Sequence, residues 1–420
     1  MNETAPKGLR LHLGIFGRRN AGKSTLLNAI TRQNVSIVSD VAGTTTDPVE
    51  KPMELLPIGP VLFIDTAGID DVGALGEKRA AKTRQAIDRT DVALLALDLS
   101  RGAGGEKVWD TFEEELFGEF TRRGVPVLAV LTKADLAEPP SGLLELLAAR
   151  KIPHVRIASS AAPDREGRAA EGVGALREAL VALLPEEVVK PRPILSDLVP
   201  SGALVVLVTP IDKEAPKGRL IMPQVQTIRD LLDAGCSSVV TQVPQLPSVL
   251  ARLAEPPAMV VTDSQAFREV DAAVPESIPL TSFSVLFARV KGDFGVMKKG
   301  AETLDALSGG ARILIAEACS HHPIAEDIGT EKIPRLLRRR LGDEIEIGHV
   351  QGHNFPETDE LLAEWDLVIH CGACVWNRRE MLRRIARCEA AGVPITNYGL
   401  ALAQLNGILP RASAPLVGEG

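Results

Sequence analysis

A chain of 420 residues that is 45% hydrophobic and 24% charged is globular rather than disordered or fibrous, and long enough for two or three domains with their own cores. Its 47 Lys and Arg against 55 Asp and Glu leave a net charge of −8, which argues against a general nucleic-acid binder, whose affinity rests on neutralised phosphates. The longest apolar stretch, 202–211, is far shorter than the roughly 20 residues of a membrane span. No basic-then-apolar leader opens the chain, so a cytoplasmic protein is expected. Five cysteines make no disulfide framework; three crowd into a His/Cys-rich constellation, the pattern of metal binding in a reducing compartment.

From residue 9 to 162 the pattern alternates strand, loop and helix. Apolar runs at 11–16, 61–64, 92–97, 127–131 and 154–157 read as strands, near-continuous as in a parallel sheet covered on both faces. A helical stretch at 172–184 closes this unit, assigned 1–185. Leu184-Pro-Glu-Glu-Val-Val-Lys-Pro-Arg-Pro193 then breaks every regular period, and 186–193 reads as a linker. A small second region, 194–265, carries a strand at 203–209, a helix at 225–234 and a strand at 238–242. Below roughly 80 residues a core is thin, so a neighbouring subunit is expected to complete it, most simply as a two-fold homodimer. A strand at 259–262 leads into a third region, 266–420, with further strands at 313–316, 345–348, 367–370 and 393–396.

Gly17-Arg-Arg-Asn-Ala-Gly-Lys-Ser24 follows a strand and opens a helix, the context in which G-x-x-x-x-G-K-[ST] cradles phosphate. Gly17, Arg18, Arg19, Asn20, Ala21 and Gly22 are expected to wrap the phosphates through backbone N–H groups. Lys23 reaches the β and γ phosphates, Ser24 ligates Mg²⁺, and Thr25 completes the stretch. Asp65-Thr-Ala-Gly68 ends a hydrophobic strand, which puts Asp65 near Mg²⁺ and the Gly68 N–H near the γ-phosphate. In the loop between, Gly43-Thr-Thr-Thr-Asp47 supplies Thr44 and Thr45, with Thr45 expected to close onto Mg²⁺. Thr132-Lys-Ala-Asp135 ends another strand as a guanine-reading element: Asp135 accepts from the two guanine donors while the Lys133 stem packs on the base. Ser160 and Ala161, after the last strand, finish the pocket. GTP is therefore the expected nucleotide, and Lys23, Asn20, Thr45, Asp65 and Gly68 the catalytic set. Thr132 stands where Asn is commoner, which softens base affinity. Ile69 follows Gly68 where Ras-like proteins carry the water-orienting Gln, so intrinsic hydrolysis is expected to be slow. Asn20, with the 43–47 loop, resembles the potassium-activated GTPases of the tRNA-modification type, in which K⁺ bridges the phosphates; a plain loop-turn role for Asn20 is the alternative.

Cys319-Ser-His321 and His370-Cys371-Gly-Ala-Cys374 each follow an apolar strand, at the carboxyl edge where open α/β sheets place ligands. The C-x-x-C brings two thiolates onto one turn, and a third from another loop completes three corners. Three cysteines and a histidine suit tetrahedral zinc, and thiolates equally suit an iron–sulfur cluster. Cys236, Cys388, His12 and His154 read as structural, while His322, His349 and His353 stay open. The basic runs 332–340 and 378–387 read as solvated helix faces, with docking of an acidic protein or anionic iron cofactor next.

A GTPase domain followed by C-x-H…H-C-x-x-C resembles the HydF family of iron-iron hydrogenase maturation GTPases. Gly218-Arg-Leu-Ile-Met-Pro-Gln-Val-Gln-Thr-Ile-Arg229 is similar to the family's middle domain and Pro394-Ile-Thr-Asn-Tyr-Gly399 to its C-terminal stretch, so the likeness covers essentially the whole chain. The resemblance implies an α/β chain: a P-loop GTPase domain, a small dimerisation domain, and a domain binding a 4Fe-4S cluster through Cys319, Cys371 and Cys374. His321, His370 and Glu317 are candidates for the fourth ligand. It also implies a scaffold and carrier. A transient diiron precursor assembled with the radical-SAM maturases HydE and HydG is received and delivered to apo iron-iron hydrogenase, with Arg378 and Arg379 drawing the anionic unit. The alternative is an RNA-associated GTPase of the tRNA-modification or ribosome-assembly type with a structural zinc site.

Overall fold

The computed structural model describes residues 8, 10–31, 49–56, 58–66, 83, 85–158, 172–184, 192–210, 220–318, 327–352, 354–356, 358–374 and 376–417, and divides into two compact units, Met1–Pro191 and Arg192–Gly420. The first is built on strands β1 (Leu11–Phe16), β2 (Val49–Leu55), β3 (Gly59–Asp65), β4 (Val92–Asp98), β5 (Val127–Thr132) and β6 (His154–Ile157), in the order β2-β3-β1-β4-β5-β6. All pairs are parallel except β2 with β3. Alternate residues enter two separate cores: Leu13, Ile15 and Leu94 in one, Leu62, Leu95 and Leu97 in the other. That period of two is how a sheet buried on both faces is packed. Helix α1 (Lys23–Thr31) begins a few residues beyond β1, so the intervening loop lies at the sheet's carboxyl edge with the ends of β3 and β5. β2 escapes sequence reading because Val-Glu-Lys-Pro-Met-Glu-Leu is charged and interrupted by Pro52, which an edge strand tolerates.

The second unit holds two all-parallel sheets. One, ordered β10-β9-β7-β8, contains β7 (Leu204–Val208), β8 (Ser237–Thr241), β9 (Met259–Thr262) and β10 (Leu280–Ser282). The other, ordered β12-β11-β13-β14, contains β11 (Arg312–Glu317), β12 (Glu346–Gln351), β13 (Leu367–His370) and β14 (Ile395–Asn397). The boundary expected at 265/266 is corrected by this pairing, since it would cut one sheet between β9 and β10. A three-residue strand directly after Pro279 gives no periodic signal. Nor do the regions pack separately, because one core runs from Ile194 to Leu416 through both sheets. Helix α2 (Phe294–Glu302) lies against β14 only because residue 300 is glycine: a Cβ there would stand 2.0 Å from the Ile395 carbonyl oxygen.

Among the described residues β8 pairs on one side alone, at the edge of its sheet. Val240 on this strand is exposed, as are Val225 and Leu232, seven residues apart on one face of helix α3 (Met222–Asp233). An unpaired edge beside exposed apolar side chains is a surface suited to association with another chain. Val240→Lys with Leu232→Lys is expected to convert a dimer to a monomer by light scattering while far-ultraviolet dichroism is unchanged. A wild-type chain that is monomeric at micromolar concentration would sink the dimer.

Candidate functional site

At the first carboxyl edge, the loop Gly17–Gly22 demands particular backbone angles. Gly17 has φ +139°, and a Cβ there would lie 2.6 Å from the Ala96 carbonyl oxygen; Gly22 has φ +83°. Asn20, at φ +61°, occupies the left-handed region that Asn tolerates better than most residues. Lys23 is 7% exposed, and its Nζ donates to the carbonyls of Gly17 (2.7 Å) and Arg18 (2.6 Å), which holds the ammonium over the loop. Ser24 Oγ donates to Asp65 Oδ2 across 3.4 Å, an approach set by the parallel register that pairs Ile15 with Asp65. Burial pushes the Asp65 carboxyl up, against the opposing pull of Lys23 and Ser24. Its Oδ1 is buried with no hydrogen-bond partner among the described residues. An orphaned carboxylate oxygen beside a serine hydroxyl fits a hard divalent cation such as Mg²⁺.

The end of β5 joins the same edge. Thr132 is buried, and its hydroxyl lies within donating distance of the carbonyls of Ala21 (2.8 Å) and Leu97 (3.1 Å). The threonine thus ties the expected base-reading strand to the phosphate loop. Lys133 takes φ +56°, and its Nζ pairs with Asp98 Oδ2 at 2.5 Å, which fixes the direction of the stem; Asp135 is exposed two residues on. The Arg18 side chain is held by two acids. Its guanidinium pairs with Glu113 (Nε to Oε1, 2.8 Å) and with Asp110, the two residues that cap helix α4 (Thr111–Arg122). Sequence reading missed this clamp because the partners stand 92 and 95 residues away. Arg19 is exposed, and Thr25 lies in the first turn of α1. Thr44, Thr45, Gly68, Ser160 and Ala161 lie outside the described residues.

At the carboxyl edge of the β11/β13 pair, the backbone N–H of Cys371 donates to the Ala316 carbonyl (2.8 Å), and the Ala318 N–H donates to Cys371 Sγ (3.1 Å). Ala373, between the two thiols, takes φ +48°, and Cys371 and Cys374 are both half-buried. Cys319 and His321 lie outside the described residues; among those described, no three His, Cys, Asp or Glu side chains form a metal-binding group. His370, expected as a candidate ligand, is fully buried with both ring nitrogens engaged. Nδ1 lies 2.8 Å from the Cys371 carbonyl oxygen and Nε2 lies 2.9 Å from Arg384. Burial and the Arg384 charge push its pKa down to about 3, so the ring is neutral; Arg384 donates to Nε2 and the Nδ1–H donates to the carbonyl. Glu317 accepts one hydrogen bond on each oxygen, from Tyr398 (3.1 Å) and Gln351 (3.0 Å), which leaves lone pairs on both. Buried Lys291 donates to the Trp376 carbonyl at 2.7 Å and pins the far side of the cysteine turn.

The remaining expectations divide. Cys388 is buried and its thiol is pushed up to about 12 by burial, Cys236 is buried, and His12 contacts the Arg89 carbonyl at 2.9 Å; these are structural groups as read. Of the two basic runs, Arg335, Arg338, Arg339 and Arg340 form a solvated face, whereas Arg384 is buried and Arg383 and Arg387 half-buried. The second run is therefore corrected from a solvated face to a largely inward one.

Residues 12–133 match the family model described as "50S ribosome-binding GTPase". Residues 194–292 match the Hydrogen maturase F dimerization domain, and residues 295–415 its tetramerization domain. GTPase Der of Wolinella succinogenes is 42% identical over 137 residues, covering 32% of this chain and 27% of that protein. The tRNA modification GTPase MnmE of a Nostoc species is 35% identical over 163 residues, covering 37% of this chain and 32% of that protein. The matched stretch thus spans about a third or less of these relatives' own length. A crystal structure of Era from Aquifex aeolicus bound to GDP and AlF4⁻ shares 21% identity, covering 55% of this chain and 93% of that one with a TM-score of 0.34. The phosphate loop and the parallel sheet that carries it define a P-loop GTPase domain, here followed by a two-sheet α/β unit. With dimerization and tetramerization domains matched over nearly all of that unit, the chain belongs to the hydrogen maturase F family. No helix among the described residues is long and apolar enough to cross a membrane.

Asp65→Asn separates the two roles of the first site. A carboxyl whose folded pKa is raised costs stability at any pH above that value, so removing its charge is expected to leave the nucleotide-free melting temperature unchanged or higher at pH 7. Mg²⁺-dependent phosphate release is expected to fall at least a hundredfold. A lower melting temperature would mean Asp65 is structural.

Proposed function

We propose that this GTPase is a scaffold that holds a 4Fe-4S cluster, accepts a diiron precursor as cargo and delivers it to apo iron-iron hydrogenase, with the radical-SAM maturases HydE and HydG upstream. The observation that carries the reading is the 3.1 Å hydrogen bond from the Ala318 N–H to Cys371 Sγ. Ala318 immediately precedes Cys319 in the sequence, so the segment that leads into the third cysteine of the motif already touches the first sulfur of the C-x-x-C. A backbone N–H aimed at a thiolate, and two half-buried thiols on one strained turn, fit the donor set of an iron–sulfur centre. Cys319, Cys371 and Cys374 would hold the cluster, which supplies an iron with an exchangeable corner. Both ring nitrogens of His370 are bonded elsewhere, so that corner falls to His321, Glu317, solvent or the cargo itself.

GTP hydrolysis builds no iron ligand; its part here is to reset loops that contact the γ-phosphate and so change partner contacts. Lys23 and the 17–22 loop bind the phosphates, and Asp65 and Ser24 orient the metal. Asn20 is assigned to K⁺, although its left-handed backbone alone accounts for an asparagine there. The likeness of 12–133 to tRNA-modification and ribosome-binding GTPases favours a second reading, an RNA-associated GTPase with structural zinc.

Reconstitution under anaerobic conditions decides between them. The scaffold reading expects a brown protein with about four irons per chain. Loss of both iron and hydrogenase activation is expected in Cys319→Ala, Cys371→Ala and Cys374→Ala, and a colourless zinc protein would favour the RNA reading. Lys23→Ala is expected to lose turnover and keep its iron. Equal turnover in K⁺ and Na⁺ buffers would remove the potassium assignment.

A further inference from the structure

Arg384 on helix α5 (Arg378–Ala390) is a buried cation at the second unit's cysteine edge. Its guanidinium lies 4.1 Å from the Trp376 ring centroid and 4.4 Å from that of Phe355, stacked between the two. One terminal nitrogen meets His370 Nε2 at 2.9 Å, and the other donates to the Gly352 carbonyl at 2.6 Å. His370, the residue before the first cysteine of the turn, hands the contact on: its Nδ1–H donates to the Cys371 carbonyl. The chain Arg384, His370, Cys371 carbonyl is thus continuous, buried at its first link and partly buried at its second. Among the described residues the hydrogen bonds of Arg384 go to two neutral acceptors, while Cys371, Cys388 and Glu380 lie within reach of its charge. Taking a guanidinium out of water against neutral partners is costly unless negative charge stands close by. Glu380 supplies one such charge, and thiolates at the cysteine turn would supply more.

Resting on the cluster reading above, we propose that His370 is no ligand, and that Arg384 acting through it is a positioning residue for the cysteine centre. It has two separable effects. The planar, stacked fork fixes the imidazole, and the imidazole fixes the carbonyl of Cys371, so the turn is set before metal enters. The buried positive charge also favours the more negative, reduced form of a thiolate-bound cluster, because nearby charge and hydrogen bonding set such potentials. Arg is the side chain for this because it stays charged when buried and presents two donors at fixed angles. Lys291, donating to the Trp376 carbonyl, backs the turn from its other end.

The test uses the full-length chain reconstituted with iron and sulfide, and three variants. Arg384→Gln is expected to keep most of the iron but to move the cluster midpoint potential to a more negative value. Arg384→Lys, which keeps charge and loses the fork, is expected to shift it less. His370→Asn retains a donor where Nδ1 stands, so iron content and the reduced-cluster electron paramagnetic resonance spectrum are expected to match wild type. A potential unmoved in Arg384→Gln, or loss of a ¹⁵N-histidine hyperfine coupling in His370→Asn, would overturn the proposal. Nitrogen-15 spectra of the metal-free chain keep this distinct from the cluster reading. His370 is expected to carry its proton on Nδ1 in wild type, with the Nε2 resonance displaced in Arg384→Gln. If wild type takes up no iron, the scaffold reading fails, and an Nε2 resonance that ignores Arg384→Gln would still remove the relay.

Discussion

Parallel pairing of neighbouring strands is the constraint from which both sites follow. Strands that run the same way bring their carboxyl ends to one edge, and the residues just beyond those ends become neighbours however distant in sequence. In the first unit the register of β1 with β3 sets Ile15 beside Asp65, so the phosphate loop after one strand meets the acid that ends the other. In the second unit, β11 beside β13 sets Ala316 against His370, and the loops that follow carry the cysteines. An antiparallel arrangement would separate each pair by the length of a strand.

Much of the first site was legible because its chemistry sits in unbroken runs. The phosphate loop, Asp65 and the Thr132–Asp135 element each read from a few contiguous residues on a strand end. What could not be read were the contacts that orient these runs. Thr132 looks like a weakened asparagine in sequence, yet in three dimensions its hydroxyl reaches the Ala21 carbonyl, 111 residues away. Arg18 counts as a phosphate-loop residue by position, but Asp110 and Glu113 claim its side chain. The second unit was less legible for a related reason. Its sheets are assembled from strands as short as three residues, so β10 left no period to detect, and the boundary was drawn through a sheet.

The histidine of the H-C-x-x-C motif shows the same limit in sharper form. Composition and spacing make His370 a plausible ligand, since imidazole beside thiolates is a common donor set. Its role depends on which way the ring turns, and that is decided by Arg384, Trp376 and Phe355, none of which the motif contains. Residue type named the chemistry available; packing decides which atoms the ring presents to its neighbours.

Buried polar groups in this chain fall into two kinds, and the distinction separates function from packing. His12 contacts a carbonyl, and Cys388 is held as a neutral thiol by burial. Each is satisfied or uncharged, and nothing further is needed to explain it. Asp65 and Arg384 differ. Asp65 is an acid whose buried oxygen lacks a hydrogen-bond partner among the described residues, and Arg384 is a cation whose described hydrogen bonds are to neutral groups. Low-dielectric surroundings make an incompletely compensated charge expensive, so a fold retains one where opposite charge arrives from outside it. A divalent cation suits the first; the second is met in part by the Glu380 carboxylate, and thiolates at the proposed centre would add to it. The two charges have opposite signs and stand at the carboxyl edges of separate parallel sheets, so by electrostatics alone the two edges favour ligands of opposite charge.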